Sequence, residues 1–467
     1  MSRPSLGARG RQLPCHDRLV VRSPFVDILG PDRVLTEPAD TAPYCVDWSG
    51  RFRGTTPAVL RPGTTEQVAA VVALCRDRGI GLTLQGGNTG LVGGSVPLSH
   101  EVVLCLRGLD RVGAVDEVGG QLTAGAGASL AAVRGRAAAA GLAYGVDIAS
   151  RDRATIGGTI ATNAGGLRML RHGDTRAQVL GVEAVLGNGT VVSHLAGLAK
   201  DNTGYHLPSL LCGSEGTLGI VTAARLRLVP AARHRLTALL AFDAVELAVL
   251  AAYELRRHLR ALEAAELMLR QGVDLVCRVT GRPPPTDTPH VAYLLVEAAD
   301  TADPAADLAA AVAGLADVAE VVSGDVSLWA YREGHPAAVN TLGPPHKLDV
   351  TLPADRLAAF IVRVPEVIAA LAPHARPWMW GHAADGNVHV NVTGVEPGDD
   401  EVDDAVLHLV ADLGGSISSE HGIGTAKRRW LHLNRSPAEI DAFRAVKRAL
   451  DPDGILNPNV LLPAVPS

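Results

Sequence analysis

The chain has 467 residues, of which 47% are hydrophobic and 20% charged, and its formal net charge is -6 at pH 7. This composition predicts a folded protein of roughly two or three domains rather than a disordered chain. The acidic balance and the aromatic content of only 3% argue against a nucleic-acid-binding surface.

Cysteine usage and the first residues bear on the compartment. The chain contains six cysteines and no CxxC pair, so we expect free thiols in a reducing cytoplasm, with peripheral attachment to a membrane left open. The first twenty residues carry arginines but no apolar signal segment, and an N-terminal arm is predicted over residues 1–40. No uncharged apolar run reaches the ~18 residues that a membrane span needs.

The first well-defined segment is a predicted α/β layer. Thr64 and Gln67 are spaced as a capping box, apolar residues follow at helical spacing, and Gly79 suits the end of the helix. An alternating strand over 80–84 leads directly into the glycine-rich loop QGGNTG at 85–90. Loops at the carboxyl ends of strands are where α/β layers bind ligands.

Two more glycine-rich stretches occur, at 147–166 and at 212–219. Backbone N–H groups in such loops favour an anion, and three loops together predict a bound diphosphate. None has the P-loop pattern or the G-x-G-x-x-G pattern of a Rossmann unit, which disfavours both of those sites. The other elements predicted before residue 230 are strands over 101–106, 121–127 and 220–228, a helix over 129–140 and a hairpin turned at 188–189.

Glycine clusters become rare after Pro230, and predicted strands and helices alternate, including an alanine-rich helix near 304–318. This pattern predicts a second, α+β domain. Within it, residues 380–391, WGHAADGNVHVN, are expected to form a hairpin turned at Asp385-Gly386. A return strand over 388–392 would place His389 and Asn391 on one face, because strand side chains repeat with period two.

The hairpin is a candidate metal site. His382 lies at its mouth, His389 is on its return strand, and Glu420 or His421 in SSEHGIG could supply a third ligand. Two histidines and a carboxylate suit Zn²⁺, with Fe²⁺ or Mn²⁺ as alternatives. On spacing alone, an ordinary hairpin with incidental polar residues is the simpler interpretation.

Seven motifs occur in the order seen in vanillyl-alcohol-oxidase-type FAD enzymes, and the resemblance covers nearly the whole chain from about residue 40. It is strongest to the D-2-hydroxyacid dehydrogenase branch of that family. The motifs are RPGTTEQVA, QGGNTGLVGG, IGGTIATNAGG, KDNTGYHLPSLLCGSEGTLGIVT, GHAADGNVHVN, SSEHGIGTAKRR and GILNPN.

The resemblance implies an α+β fold with a PCMH-type FAD-binding domain of two α/β subdomains over 41–231. A cap domain over 232–430, with an antiparallel sheet flanked by helices, would carry the metal site, and residues 431–467 would return to the FAD domain. Some relatives tether FAD through a histidine where this chain has Asn88, so non-covalent FAD is expected. The FAD-binding residues implied are Gln85, Gly86, Gly87, Asn88, Thr89, Gly90, Gly157, Gly158, Thr162, Asn163, Gly166, Gly213, Glu215, Gly219, Ile220 and Asn457.

The activity implied is FAD-dependent, metal-assisted oxidation of a D-2-hydroxy acid to the 2-oxo acid. The resemblance gives His382, His389 and Glu420 as metal ligands, Asn391 as a substrate contact and His421 as catalytic base that also contacts substrate. D-2-hydroxyglutarate is the first expectation, and D-lactate or glycolate is the alternative.

Two cations support a substrate with a second carboxylate. Arg332 in LWAYREGHP and Lys347 in HKLDVTLP match substrate-binding positions of the D-2-hydroxyglutarate branch, although each alone is more typical of a solvated surface charge. Lys427 is expected at the surface, at the start of a helix.

Three positions depart from the branch pattern. Ala384 replaces a glycine in the hairpin turn, Pro336 replaces a hydroxyl residue, and His172 replaces a tyrosine near the flavin.

Two rival classes remain open at this point. One is a metal-dependent hydrolase whose glycine loops are only structural, and the other is a non-catalytic flavoprotein subunit. The electron acceptor is unspecified, with a quinone, a cytochrome or an electron-transfer flavoprotein as options, and the resemblance implies a homodimer.

Overall fold

The computed structural model describes residues 24–198 and 200–463, and the strands of these residues form three sheets. The first sheet contains four strands, of which the last three run parallel. Their spatial order is Val34–Leu35, Val59–Leu60, Val102–Cys105 and Leu82–Gln85.

Helix Thr65–Arg78 connects two strands of the first sheet and buries one apolar face against them. The Thr64 hydroxyl accepts from the Gln67 N–H at 3.2 Å, but the Gln67 side chain accepts from the Gly63 N–H instead of returning to Thr64. Only half of the predicted capping box therefore forms. Gly79 ends the helix in the left-handed conformation, with φ of 63°.

The second sheet contains six strands and is antiparallel. The hairpin predicted at 188–189 is confirmed, because Val185 pairs with Val191 across it. The main order of the sheet is Val112–Asp116, Gln121–Gly125, Ile220–Pro230, Val179–Val185 and Val191–His194, and Leu142–Tyr144 pairs with the end of Ile220–Pro230.

The third sheet contains seven strands and is fully antiparallel. It includes the predicted hairpin, with a short 3-10 turn over Ala383–Asp385 and Gly386 in the left-handed region. Its order is Glu320–Gly324, His234–Phe242, Ala292–Asp300, Leu262–Leu269, Arg376–His382, Asn387–Thr393 and His346–Thr351.

Helices cover both faces of the third sheet. Helices Val245–His258, Ala354–Leu371 and Glu401–Asp412 pack on one face in the largest apolar core, and Arg270–Thr280 packs on the other. The predicted helix near 304–318 is shorter, at Ala305–Ala313. The other helices are 24–29, Pro38–Thr41, Leu130–Ala138, Ile156–Thr162, Met169–His172, Thr175–Gln178, Leu207–Leu211, Trp329–Glu333, His335–Asn340 and Pro437–Leu450, and the other 3-10 turns are Pro31–Arg33, Ala42–Tyr44, Leu106–Gly108, Val326–Leu328 and Arg428–Leu433.

The predicted N-terminal arm lies outside the described residues up to residue 23, but the rest of it is not an arm. Phe25 is fully buried in the core of the first sheet, and Val34 pairs with Leu60. Burial of these apolar side chains in the core is favourable because it removes apolar surface from water. A loose arm would leave that surface exposed.

The C-terminal segment lies against the first sheet. The Leu82 N–H donates to the Ile455 carbonyl at 2.7 Å, and the Leu84 N–H donates to the Asn457 side chain at 2.8 Å. The five cysteines among the described residues are free thiols. Within residues 24–198 and 200–463, no helix combines the length and the apolarity that crossing a membrane requires.

Candidate active site

A cavity of about 800 Å³ opens between the glycine-rich loops and the third sheet. This volume falls in the range of ~300–1,000 Å³ typical of small-molecule and cofactor sites. The cavity is lined by nearly all the predicted site residues, namely Gln85, Gly86, Gly87, Asn88, Thr89, Gly90, Gly157, Gly158, Thr162, Gly166, Glu215, Gly219, Ile220, Arg332, Lys347, His382, His389, Asn391, Glu420, His421 and Asn457.

The glycine loops pack closely enough to form a cradle for an extended cofactor. A Cβ atom on Gly87 would lie 2.0 Å from the Arg153 carbonyl oxygen, and one on Gly157 would lie 2.7 Å from the Ala126 Cβ. Asn88 adopts a φ of 53°, and its amide donates to the Val46 carbonyl at 2.8 Å. The loop residues therefore present backbone to the cavity, as a diphosphate group requires.

Two predicted FAD-binding residues do not line this cavity. The Asn163 side chain donates to Asp174 at 2.7 Å and accepts from the Arg176 N–H at 2.9 Å. Gly213 adopts a φ of 82°, and its N–H donates to the Ile160 carbonyl. Both residues shape the loops behind the cavity, and their assignment as cofactor contacts stays a prediction.

The three predicted metal ligands do converge. One ligand atom from each of His382, His389 and Glu420 lies within 4.8 Å of the others. The His382 Nε2 is 3.7 Å from a Glu420 carboxylate oxygen, and the Gly166 N–H donates to the other oxygen at 2.6 Å. Burial opposes ionisation of Glu420, but His382 outweighs it, and the pKa of this carboxyl falls to about 2. The set has the donor types and spacing that a divalent cation needs.

A second set, Asp349 with His389 and His421, has equally close ligand atoms. Asp349 is fully buried, and its carboxylate already accepts from the N–H groups of Glu420 and His421, at 2.7 and 3.0 Å, and from the Asn387 amide at 2.8 Å. With its oxygens occupied by these donors, it is the poorer metal ligand. The set that contains His382 and Glu420 is therefore the better metal site.

The loop that carries Glu420 and His421 is held from both sides. Asp349 reaches it from the third sheet, and Glu215 accepts from the Ile423 and Gly424 N–H groups at 2.8 and 2.7 Å. The Glu215 carboxylate thus anchors a loop, which differs from its predicted role as a cofactor contact. Burial raises its pKa to about 6.

Lys427 is not at the surface, as its position after the Glu-His pair had suggested. It is 2% exposed, and its ammonium donates to the carbonyls of Asp349 and Ile417 at 3.1 and 2.7 Å. Two carbonyl acceptors near the carboxylates of Asp349 and Glu215 compensate for its loss of hydration. Lys427 therefore stabilises the loop from beneath.

His421 lines the cavity and is partly buried. Its Nδ1 is buried without a hydrogen-bond partner among the described residues, so Nε2 is the nitrogen that can reach a ligand. Burial lowers its pKa, which favours the neutral imidazole that a general base needs.

Arg332 and Lys347 both line the cavity. The Arg332 Nε donates to Glu266 at 2.6 Å, and neither terminal nitrogen of its guanidinium makes a hydrogen bond within residues 24–198 and 200–463. The Lys347 ammonium forms no hydrogen bond or ion pair with any described residue, and burial lowers its pKa. Two cations with spare hydrogen-bonding capacity therefore face the same space.

The three departures from the branch pattern differ in their effect. Ala384 is fully buried in the core of the hairpin turn, and the turn forms as predicted. Pro336 lines the cavity beside the cations. His172 does not line it, and its Nε2 lies 3.7 Å from the Glu263 carboxylate instead.

Two carboxylates beside the site were not predicted from the sequence. Glu266 lies on strand Leu262–Leu269 and accepts from His382, and Asp349 lies on strand His346–Thr351 next to Lys347. The available signal was an acid within a strand, since carboxylates are almost never fully buried unless paired.

Comparison with known proteins identifies both halves of the chain. Residues 56–194 match the family model described as the FAD binding domain, and residues 231–461 match the model for the C-terminal domain of FAD linked oxidases. The hydrolase alternative is therefore wrong, since the glycine loops at 85–90 and 147–166 belong to an FAD-binding domain.

Curated relatives are similar over most of their length. The D-2-hydroxyglutarate dehydrogenase of Xanthomonas citri pv. viticola is 37% identical over 450 residues, covering 92% of this chain and 94% of that protein. The mitochondrial D-2-hydroxyglutarate dehydrogenase of Bos taurus is 36% identical over 93% of this chain and 82% of that protein. The D-2-hydroxyglutarate–pyruvate transhydrogenase of Saccharomyces cerevisiae is 34% identical, over 93% and 92% of the two chains.

Solved structures share the fold. p-Cresol methylhydroxylase with substrate bound aligns with a TM-score of 0.75 at 17% identity, covering 93% of this chain and 94% of that one. An alkyldihydroxyacetonephosphate synthase aligns with the same TM-score of 0.75 at 16% identity, covering 96% of this chain and 85% of that one. The fold is thus the PCMH-type arrangement expected from the motifs, and the chain belongs to the FAD-linked oxidases, in their D-2-hydroxyacid dehydrogenase branch.

Proposed function

We propose that this FAD-linked dehydrogenase oxidises D-2-hydroxyglutarate to the 2-oxo acid, with a divalent metal, first of all Zn²⁺, bound by His382, His389 and Glu420. The observation that carries the proposal is the pair of cations, Arg332 and Lys347, which have spare hydrogen-bonding capacity in the cavity that these ligands also line. A second carboxylate on the substrate would satisfy both cations. The names of the curated relatives support the same substrate.

Each end of the substrate has a matching group. The metal, when bound, would supply a Lewis acid for the hydroxyl and the neighbouring carboxylate. Arg332 and Lys347 would hold the distal carboxylate through charge-assisted hydrogen bonds. Asn391 pairs with Lys347 in the sheet and lines the cavity, so its amide can orient the substrate between the two ends.

His421 would move the proton. Its free Nε2 would accept the hydroxyl proton of the substrate, while bound FAD supplies the hydride acceptor. Asp349 and Glu215 anchor the loop that carries His421 through its backbone N–H groups. These contacts fix the position of the imidazole and so maintain the geometry that proton transfer needs.

The lysine offers a direct test of the substrate. Replacement Lys347→Met should raise KM for D-2-hydroxyglutarate by about 10- to 100-fold, the cost of removing a charged hydrogen-bond donor. D-Lactate has no distal carboxylate, so its kcat/KM should stay the same in this variant. The exposed Lys200 offers a control, because Lys200→Met should leave both substrates unaffected.

Steady-state kinetics with an artificial electron acceptor decides the outcome. Equal kcat/KM for D-lactate and D-2-hydroxyglutarate in the unmodified protein would contradict the dicarboxylate proposal. So would a Lys347→Met variant that loses the same factor on both substrates. The homodimer and the cytoplasmic location stay predictions from the sequence, which leaves the physiological acceptor unspecified.

A further inference from the structure

Glu266 lies behind the metal site, on a strand that pairs with the hairpin. It is 1% exposed, and its Cα is the register partner of His382. One carboxylate oxygen lies 2.5 Å from the His382 Nδ1, and the other accepts from the Arg332 Nε at 2.6 Å. A single buried carboxylate therefore contacts both a metal ligand and a substrate-binding cation.

The contact with His382 selects one form of the ring. A carboxylate can only accept, so the His382 Nδ1 must carry the proton that it donates. In the neutral ring the lone pair is then on Nε2, the nitrogen that lies 3.7 Å from Glu420. A metal binds the unprotonated nitrogen of a neutral imidazole, so this arrangement reserves Nε2 for the ion.

We propose that Glu266 is a positioning residue that fixes His382 in its metal-binding tautomer and, through its other oxygen, holds Arg332 beside the cavity. The proposal rests on the proposed function, which assigns the metal and the role of Arg332. It adds that one carboxylate ties the two ends of the substrate site together.

The other ligand histidine has a looser support. The His389 Nδ1 is 3.3 Å from Asp349, whose second oxygen is shared among N–H groups of the loop that carries Glu420 and His421. Among the residues that the structure describes, the Glu266 carboxylate accepts from His382 and Arg332 alone, so no backbone donor competes there. His382 should therefore depend on Glu266 more than His389 depends on Asp349.

Replacement Glu266→Gln tests the tautomer while keeping the size of the side chain. If the amide oxygen accepts from Arg332, the amide NH₂ faces the His382 Nδ1, which must then become the acceptor. The ring proton moves to Nε2 and blocks the metal. We expect the affinity for Zn²⁺ to fall by about 10- to 100-fold, as loss of such outer partners does in other metal sites.

The control is another buried acid on the same strand. Glu263 pairs with Arg168 and Arg235 and does not line the cavity. Glu263→Gln should thus leave the Zn²⁺ affinity unchanged. Affinity is measured on FAD-loaded protein by competition with a chromophoric chelator, and bound FAD per chain reports whether each variant is folded.

The outcomes separate the two levels of the hypothesis. Wild-type protein that binds no Zn²⁺ would overturn the metal site in the proposed function. Wild-type protein that binds Zn²⁺, together with a Glu266→Gln variant of equal affinity, would overturn the role of Glu266 alone. If the variant loses FAD, a crystal structure of the Zn²⁺-loaded wild type decides the role of Glu266. Coordination of Zn²⁺ through the His382 Nε2, with the His382 Nδ1 hydrogen-bonded to Glu266, supports the role. Any other arrangement overturns it.

Discussion

At the scale of single residues, His421 combines access to the cavity with a lowered pKa. Replacement His421→Gln removes the proton acceptor while keeping a polar side chain of similar length. We expect kcat to fall by about 10²- to 10⁴-fold, the usual contribution of a general base, with a smaller change in KM. Steady-state kinetics and bound-FAD content measure this. The exposed His432 is the control, and a His421→Gln variant with near-normal kcat would refute the assignment.

A second histidine should make stability depend on pH. His335 is 1% exposed, packs against Trp380 and donates from Nδ1 to the Tyr331 carbonyl. Burial lowers its pKa to about 3, below the unfolded value of 6.5. Its neutral form therefore contributes stability that is fully present above pH 6.5 and is lost as the pH falls toward 3.

Replacement His335→Asn keeps the donor but cannot titrate. Between pH 7.5 and pH 5, the free energy of unfolding of the wild type should fall by about 2 kcal/mol relative to that of this variant. Thermal midpoints of both proteins across that range give the measurement. A stability difference that does not change with pH would show that His335 titrates normally.

At the scale of elements, the first glycine loop depends on close backbone approach. A methyl group on Gly87 would clash with the Arg153 carbonyl, which belongs to the rigid backbone, so Gly87→Ala should reduce bound FAD and lower the thermal midpoint. Gly135→Ala is the control, because no heavy atom lies within 4 Å of its Cβ position in helix Leu130–Ala138. The Gly135→Ala variant should bind as much FAD as the wild type, and its free energy of unfolding should rise by up to ~1 kcal/mol. Equal FAD content in both variants would contradict the cradle.

The elements show what local sequence can and cannot predict. Glycine clusters after strands predicted the cavity loops, and the D-G turn predicted the hairpin, because both signals are local. The same glycine-rich pattern also pointed to Asn163 and Gly213, which serve hydrogen bonds inside the loops. Which residue of such a loop faces a cofactor depends on backbone conformation that composition does not encode.

At the scale of the whole molecule, the loop that carries Glu420 and His421 joins the FAD-binding part to the third sheet. Replacement Glu215→Gln leaves only one acceptor for the Ile423 and Gly424 N–H groups. An unpaired buried N–H costs ~1–3 kcal/mol, so hydrogen exchange of this loop should rise about tenfold or more. The exposed Glu246→Gln variant should show no change. Unchanged exchange in Glu215→Gln would mean that the loop does not need this anchor.

Long-range contacts account for most of what the sequence did not predict. Glu266 and His382 are 116 residues apart, and the pairing of their strands brings them together. Lys427 was predicted at the surface, at the start of a helix. It is buried instead, because two carbonyls distant in the sequence accept from its ammonium group. The proposed metal ligands were predicted through their motifs, whereas the carboxylates behind them became visible only in the folded sheet.

The most direct test is anaerobic reduction of the bound flavin by D-2-hydroxyglutarate. The visible absorption of the flavin reports the reduction. The Zn²⁺-loaded protein should be bleached by the D enantiomer and not by the L enantiomer. Removal of the metal with a chelator should slow bleaching by about 100-fold or more, and Zn²⁺ should restore it. Bleaching at the same rate in the metal-free protein would contradict a metal held by His382, His389 and Glu420 at the reacting end of the substrate.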